Sequence, residues 1–321
     1  MNLKEFIVEI ARENIFLQEE DKTFPPGHNG PYFDPETPVR VASHWLFTFS
    51  KCYEFTGDEL FKKKVLELAT FLASKRARPF GKNFYQRYKL SKDKCNGLIG
   101  PAWVFEALLQ ATNILKNDIY SKIVEEVFFL HRFNEKWGLW QPIEIDGRIL
   151  SLDETYNHQL WFAACSSSIK YGDTKEISRR ILIFMDNILK NLVVLDNGLI
   201  YHMIKSIPQT IFYKAKLNAL KIINFLKNPE FKSSGMASII SKSLGYHAFN
   251  LYAFAILKDK FPDHPIWLEE KIQKTINFLD SNEYREGLNT NLYGYSYNAP
   301  GFEIPVIINQ FYLLSDEEKI E

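Results

Sequence analysis

Five stretches of this 321-residue chain gather side chains that can move protons or bind sugar hydroxyls. The densest is Ser151-Leu152-Asp153-Glu154-Thr155-Tyr156-Asn157-His158-Gln159-Leu160-Trp161. Asp153 and Glu154 supply carboxylates and His158 an imidazole, the residue types of acid–base catalysis. Glu154 and His158, and likewise Asn157 and Trp161, fall one helical turn apart. So many polar groups opening a helix that turns apolar at Trp161 are expensive to bury unless a ligand satisfies them. Helix capping and core hydrogen bonds are the competing explanation.

The other four stretches are chemically similar. Gly27 to Pro35 carries His28, Asn29, Tyr32 and Asp34 in a proline-rich loop, followed by Arg40 and His44 at helical spacing. A loop stiffened by prolines suits a ligand site, and equally an ordinary surface turn. Tyr85-Gln86-Arg87-Tyr88 with Asn96 offers a guanidinium for a carboxylate. Ser243, Tyr246, His247 and Asn250 open another apolar helix. Tyr293, Tyr295 and Tyr297 alternate, which predicts three rings on one side of an extended segment, with Asn298 and Glu303 beyond. Each set has a packing explanation as well.

The elements that must position these groups follow from a repeat. Apolar segments of one type begin at Arg40, Gly97, Glu154, Gly245 and Tyr297, a step of about 55 residues with one longer interval. Between them lie helices of a second type, from Gly57, Asn117, Asp173 and His264, with apolar residues at i, i+3, i+4 and i+7 against a charged face. Asp58, Asp118, Asp173 and Thr174 stand at expected N-caps. Asn2 to Phe16 predicts one more helix of the second type, and Lys214 to Leu226 another inside the long interval. Helices with few charges must be buried on most sides, and those with a charged stripe must lie outside. The alternation therefore predicts an all-α fold, an (α/α)5–6 toroid of helical hairpins over residues 1–321 as a single domain. An open helical solenoid is the alternative. Short β-hairpins are predicted at Leu139–Leu150, turning at Asp146-Gly147, and at Val193–Tyr201. The first leads straight into an apolar helix and is expected at the mouth of a cleft.

Composition narrows the function. The 39 basic and 39 acidic residues cancel, which argues against a nucleic-acid partner. No apolar run approaches a membrane span, and Glu5 and Glu9 interrupt the N-terminal apolar residues, so a cytoplasmic protein without membrane insertion is expected. Cys52, Cys95 and Cys165 form no CxxC pair, so neither a disulfide framework nor a zinc site is expected, and nothing demands a metal or cofactor. Phosphate-binding loops, nucleophile elbows and HExxH motifs are lacking.

In its alternation and spacing the chain resembles the six-hairpin glycosidase-like α/α toroids, a group of glycoside hydrolases, uronate lyases and sugar epimerases. Tyr156-Asn157-His158 before an apolar helix, with Tyr171-Gly172-Asp173 beyond it, is similar to the Asn-His helix of heparinase-type lyases. That similarity implies Asn157 at a uronate carboxylate and His158 in proton transfer. HNGPYFDPETPVR, CNGLIGPAWVFEALL, LDETYNHQLWFAA and YGYSYNAPGFEIP together resemble the AglQ-like proteins of bacterial surface-polysaccharide gene clusters. The expectation is an enzyme on a uronic-acid-containing poly- or oligosaccharide that abstracts the C5 proton, as epimerase or lyase. Asn157 with Arg87 or Arg40 would hold the carboxylate, and His158, Tyr295 or Tyr297 would take the proton. A glycoside hydrolase drawing a carboxylate pair from Asp34, Asp153, Glu154 and Glu303 is one alternative. A non-catalytic glycan-binding protein is the other.

Overall fold

Thr37 and Pro38 start the helix that carries the first apolar segment. The Thr37 hydroxyl accepts the Val39 N–H, and Pro38 occupies the first helical position, where no N–H is needed. Gly57, at φ +67°, ends that helix in the left-handed region, and Asp58 caps the next by accepting the Leu60 N–H. The computed structural model describes residues 1–204, 231–295 and 297–312. The helix expected at Lys214 to Leu226 lies outside the described residues.

The helices are α1 (Leu3–Asn14), α2 (Pro38–Thr56), α3 (Glu59–Ala73), α4 (Ile99–Leu115), α5 (Ile119–Leu130), α6 (Tyr156–Ser166), α7 (Thr174–Asp186), α8 (Ile188–Asn191), α9 (Phe231–Gly245), α10 (His247–Lys260), α11 (Glu270–Asn277), α12 (Asn282–Asn289) and α13 (Pro300–Phe311). Among the described residues the only sheets are two antiparallel pairs. One joins β1 (His28–Asn29) to β2 (Asp34–Pro35), and the other β3 (Arg132–Asn134) to β4 (Leu139–Gln141). The architecture is all-α. No described helix is long and apolar enough to cross a membrane.

The chain divides into two compact units. Unit 1 holds residues 1–153 and 161–183, and unit 2 holds 154–160 and 184–321. In unit 1, α2 packs on α1, α3 and α4, and α4 on α3 and α5. Burial follows the two helix types. In α4 every residue from Ile99 to Thr112 is buried except Trp103, Glu106 and Gln110, whereas α3 and α5 keep wet charged faces. Aromatic rings fill the spaces between. Phe24, Trp45 and Phe49 stack in sequence beside α2. Phe162 of α6 stacks on Phe128 at 5.7 Å and meets Phe105 and Trp140 at 5.4 Å each. In unit 2, α10 packs on α13 and α9, and α9 on α12. His247, fully buried, accepts the Ile200 N–H at Nδ1, and its Nε2 lies 2.9 Å from the Thr275 carbonyl.

Three local expectations need correction. Leu139–Gln141 pairs with Arg132–Asn134, not with Arg148–Leu150. The predicted turn at Asp146-Gly147 closes a smaller hairpin through the single bridge Ile143–Ile149. The segment from His264 divides into a 3-10 turn (Pro265–Leu268), α11 and a second 3-10 turn (Phe278–Asp280). Asp118 makes no capping bond. Asn117 takes that role, accepting the Ile119 N–H. His131 packs on the same ring at 4.8 Å, so Phe162 anchors four rings, and Phe162→Ala is expected to lower stability by about 3–5 kcal/mol. Urea unfolding of the full chain measures that loss.

Candidate active site

Two extended segments frame the start of α2 and α4. The Tyr88 N–H donates to the Pro35 carbonyl, the Thr37 N–H to Gln86, and Glu36 bridges Arg87. The Thr37 hydroxyl also donates to the Tyr85 carbonyl. From this ribbon the chain enters α4 through Asn96 (φ +59°) and Gly97 (φ +58°). Gly100 follows, where an added Cβ would lie 2.1 Å from the Cys95 carbonyl oxygen. Only glycine lets the ribbon approach the first turn of α4 that closely. The Gln86 amide donates to the Gly100 carbonyl at 2.9 Å and ties the two together.

Because α2 and α4 pack side by side, their incompletely buried stripes adjoin. On α2 the stripe includes Arg40, His44, Thr48 and Lys51, and on α4 it includes Trp103, Glu106 and Gln110. The Arg40 guanidinium lies 4.3 Å from the Trp103 ring centroid, a cation–π distance. Its Nη1 donates to Glu36 at 2.7 Å and to Asn29 at 2.9 Å, and its Nε approaches His44 Nε2 at 3.5 Å. The His44 ring lies 5.5 Å from Trp103. Desolvation, then the neighbouring Arg40 charge, lower the His44 pKa. Both favour the neutral imidazole at pH 7.

Glu106 is the one charged residue of α4, three positions past Trp103. Burial raises its carboxyl to about 7, against a smaller opposing pull from Lys51. Glu106 in turn helps raise the thiol of Cys165, which burial has already shifted upward. A carboxyl poised near neutrality in a half-open position is suited to give and take protons. Glu106 belongs to no catalytic motif in the sequence. The legible signal was a lone charge in an otherwise uncharged, mostly apolar helix.

The structure distributes the residues expected from sequence between the two units. In unit 1, Asn29 and Arg40 meet, as described. His28 is exposed on β1. Tyr32 lies beneath the Lys92 ammonium, 5.4 Å from its ring. Asp34 is fully buried within reach of Lys89, Lys92 and Arg87. Arg87 directs Nη2 and Nε to Asp93 and Nη1 to Asn96 at 2.8 Å, so these donors stay within the protein. Asp153 accepts the Leu98 N–H at 3.3 Å, just before α4, and Trp161 is 4% exposed.

In unit 2, Glu154 and His158 are partly exposed and Asn157 is buried, its Oδ1 without a partner among the described residues. The tyrosine ladder is replaced by successive turns. Asn291 accepts the Tyr293 N–H, and Gly294 donates to Asn291 and receives from Tyr297 and Asn298. Asn and Gly at these positions favour turns over an extended strand. Tyr293 and Tyr297 both pack near Tyr246, at 6.2 and 5.9 Å, while Tyr295 points away and is 59% exposed. Asn298 donates to the Gly245 and Tyr293 carbonyls. His247 is engaged at both ring nitrogens, and burial lowers its pKa to about 4. Burial raises Glu303 to about 7. Among the described residues no cluster of three or more His, Cys, Asp or Glu could hold a metal ion.

Archaeal glycosylation protein Q of Haloferax volcanii is 36% identical to this chain over 326 residues, covering 99% of the chain and 87% of its own length. The chain belongs to that family. No family model matches it. Among solved structures, a D-mannose isomerase aligns with TM-score 0.55 at 14% identity, over 85% of this chain and 69% of its own. Cellobiose 2-epimerase from Bacillus thermoamylovorans aligns at 0.51 and 13%, over 95% and 100%. The unsaturated glucuronyl hydrolase of Bacillus sp. GL1 aligns at 0.50 and 15%, over 94% and 78%. These likenesses show the fold, the α/α toroid of helical hairpins shared by six-hairpin glycosidase-like enzymes.

The raised Glu106 carboxyl has a consequence for stability. Its folded-state pKa of about 7 exceeds the ordinary 4.5, so the folded protein binds this proton more tightly than the unfolded chain. The contribution is fully present below about 4.5 and is lost as pH rises through about 7. Glu106→Gln is therefore expected to be less pH-sensitive than the parent over that window. Denaturant midpoints at pH 4.5, 6 and 8 measure it, and identical pH profiles for the two proteins would contradict the assignment.

Proposed function

We propose that the chain is a carbohydrate-processing enzyme that moves the C5 proton of a uronic-acid unit, as epimerase or lyase. The observation that carries the reading is the contact of Arg40 with Trp103 beside Glu106 on the adjoining stripes of α2 and α4. An indole offers an apolar face for a sugar ring, and a guanidinium offers paired donors to a carboxylate. Glu36 and Asn29 fix the Arg40 side chain before substrate arrives, so the cation needs little reorganisation.

The C5 proton of a uronate is adjacent to the carboxylate carbon. When the C5–H bond breaks, its electron pair delocalises into that carboxylate, where negative charge grows. Arg40 stabilises the growing charge, and the ionised Glu106 carboxylate accepts the proton. Elimination then forms the C4–C5 double bond as the C4–O bond breaks, and the departing oxygen takes up the proton that Glu106 has accepted. Epimerisation instead returns a proton from solvent to the opposite face of C5, and Glu106 gives up its own proton to solvent. Neutral His44 limits positive charge beside Arg40, so the guanidinium is the principal cation at the ring face. The sugar-enzyme neighbours and the glycosylation relative support carbohydrate as the substrate class.

Incubation with uronate polysaccharides in D₂O tests the reading. Deuterium at C5 without cleavage, or absorbance from an unsaturated product, is the expected result. New reducing ends with neither would overturn it in favour of hydrolysis. Arg40→Ala should slow C5 exchange by roughly 10²-fold or more. Arg40→Lys should restore only part of the loss, because an ammonium lacks the planar fork.

A further inference from the structure

We propose that Lys89 and Lys92 form a second anion subsite beside Arg40, one that takes a carboxylate or phosphate on the neighbouring part of the substrate. The proposal rests on Arg40 as the holder of the first carboxylate. Its basis is a charge imbalance around one buried group. Lys89 Nζ lies 2.8 Å from Asp34 Oδ1, and Lys92 Nζ lies 2.5 Å from Oδ2. Arg87 stands 3.8 Å away but is matched by Asp93 at 2.6 Å. Two ammonium groups therefore share a single carboxylate, leaving one positive charge uncompensated.

That excess is open to a ligand. Asp34 is fully buried, while each lysine side chain is 38% exposed. Together Lys89 and Lys92 hold Asp34 ionised even though burial acts the other way.

Position links the pair to the proposed sugar site. Asp34 and Glu36 are two residues apart on the extended segment, hence on one side of it and about 7 Å apart. Glu36 holds Arg40, and Asp34 holds the lysines. The ribbon thus presents two cationic points in succession, a spacing that fits a ligand with anionic groups on adjoining units. Tyr32 lies beneath Lys92 and Tyr88 is 48% exposed, so both can offer ring faces to a sugar.

Calorimetry on the full chain tests this with three ligands: a uronic-acid monosaccharide, a uronic-acid disaccharide and glucuronic acid 1-phosphate. A doubly anionic ligand should bind at least tenfold tighter than the monosaccharide at low salt. The disaccharide and the 1-phosphate separate carboxylate from phosphate as the second anion. In Lys89→Gln/Lys92→Gln that advantage should vanish while monosaccharide affinity holds. Asp34→Asn guards against a folding defect and should enlarge the advantage, because both lysines are released. If the lysines only neutralise Asp34, Asp34→Asn would leave the advantage unchanged or reduce it, which would overturn the proposal. Persistence of the advantage in the double variant would also overturn it. Inorganic phosphate reports the subsite alone. It should bind the parent and Arg40→Ala but not the double variant, and no binding to the parent would overturn the subsite. Failure of the monosaccharide to bind the parent while phosphate does would instead overturn the Arg40 reading.

Discussion

A helix buried on every side but one can keep a charged residue only along its open stripe, and α4 illustrates the constraint. From Ile99 to Thr112 its half-open positions are Trp103, Glu106 and Gln110, all on one line. Any functional group that α4 contributes must sit on that line. The ribbon that leads into the helix, held by the close approach at Gly100, fixes where its first turn begins. The adjoining stripe of α2 brings Arg40 and His44 against Trp103. The site is thus a by-product of packing two largely uncharged helices edge to edge.

Electrostatics then divides the roles. The guanidinium is anchored by Glu36 and Asn29 and keeps its charge in a partly buried place. Desolvation and the positive neighbour both make a second positive charge unfavourable, so His44 stays neutral. Desolvation works in the opposite sense on a carboxyl, and it brings Glu106 to the range where both protonation states are populated at neutral pH. Arg87 shows how little residue type alone decides. It is also a guanidinium beside tyrosines, yet Asp93 and Asn96 take its donors and it braces the turn into α4.

Much of the helical order was legible because burial requires it. Alternating charge-poor and striped segments, and the caps at Asp58 and Asp173, place α2 to α7 within a few residues. Asn29 and Arg40 were both candidates by type, but their hydrogen bond depends on a loop path that no local pattern encodes. The tyrosines at 293, 295 and 297 alternate as a strand would, but Asn291 and Gly294 turn the chain there. His247 read as a candidate from its place at a helix start, and only its two backbone partners reveal a core residue. Glu106 escaped notice for the opposite reason. It matches no motif, and its significance lies in the lack of any other charge on its helix.

The most direct test of the central claim is the pH dependence of C5 deuterium incorporation by the parent protein and Glu106→Gln. If Glu106 takes the proton, the parent rate should climb with pH through about 7, and the variant should be slower with that rise removed. A variant that exchanges C5 as fast as the parent, with the same profile, would show that the α2–α4 stripe does not perform the chemistry.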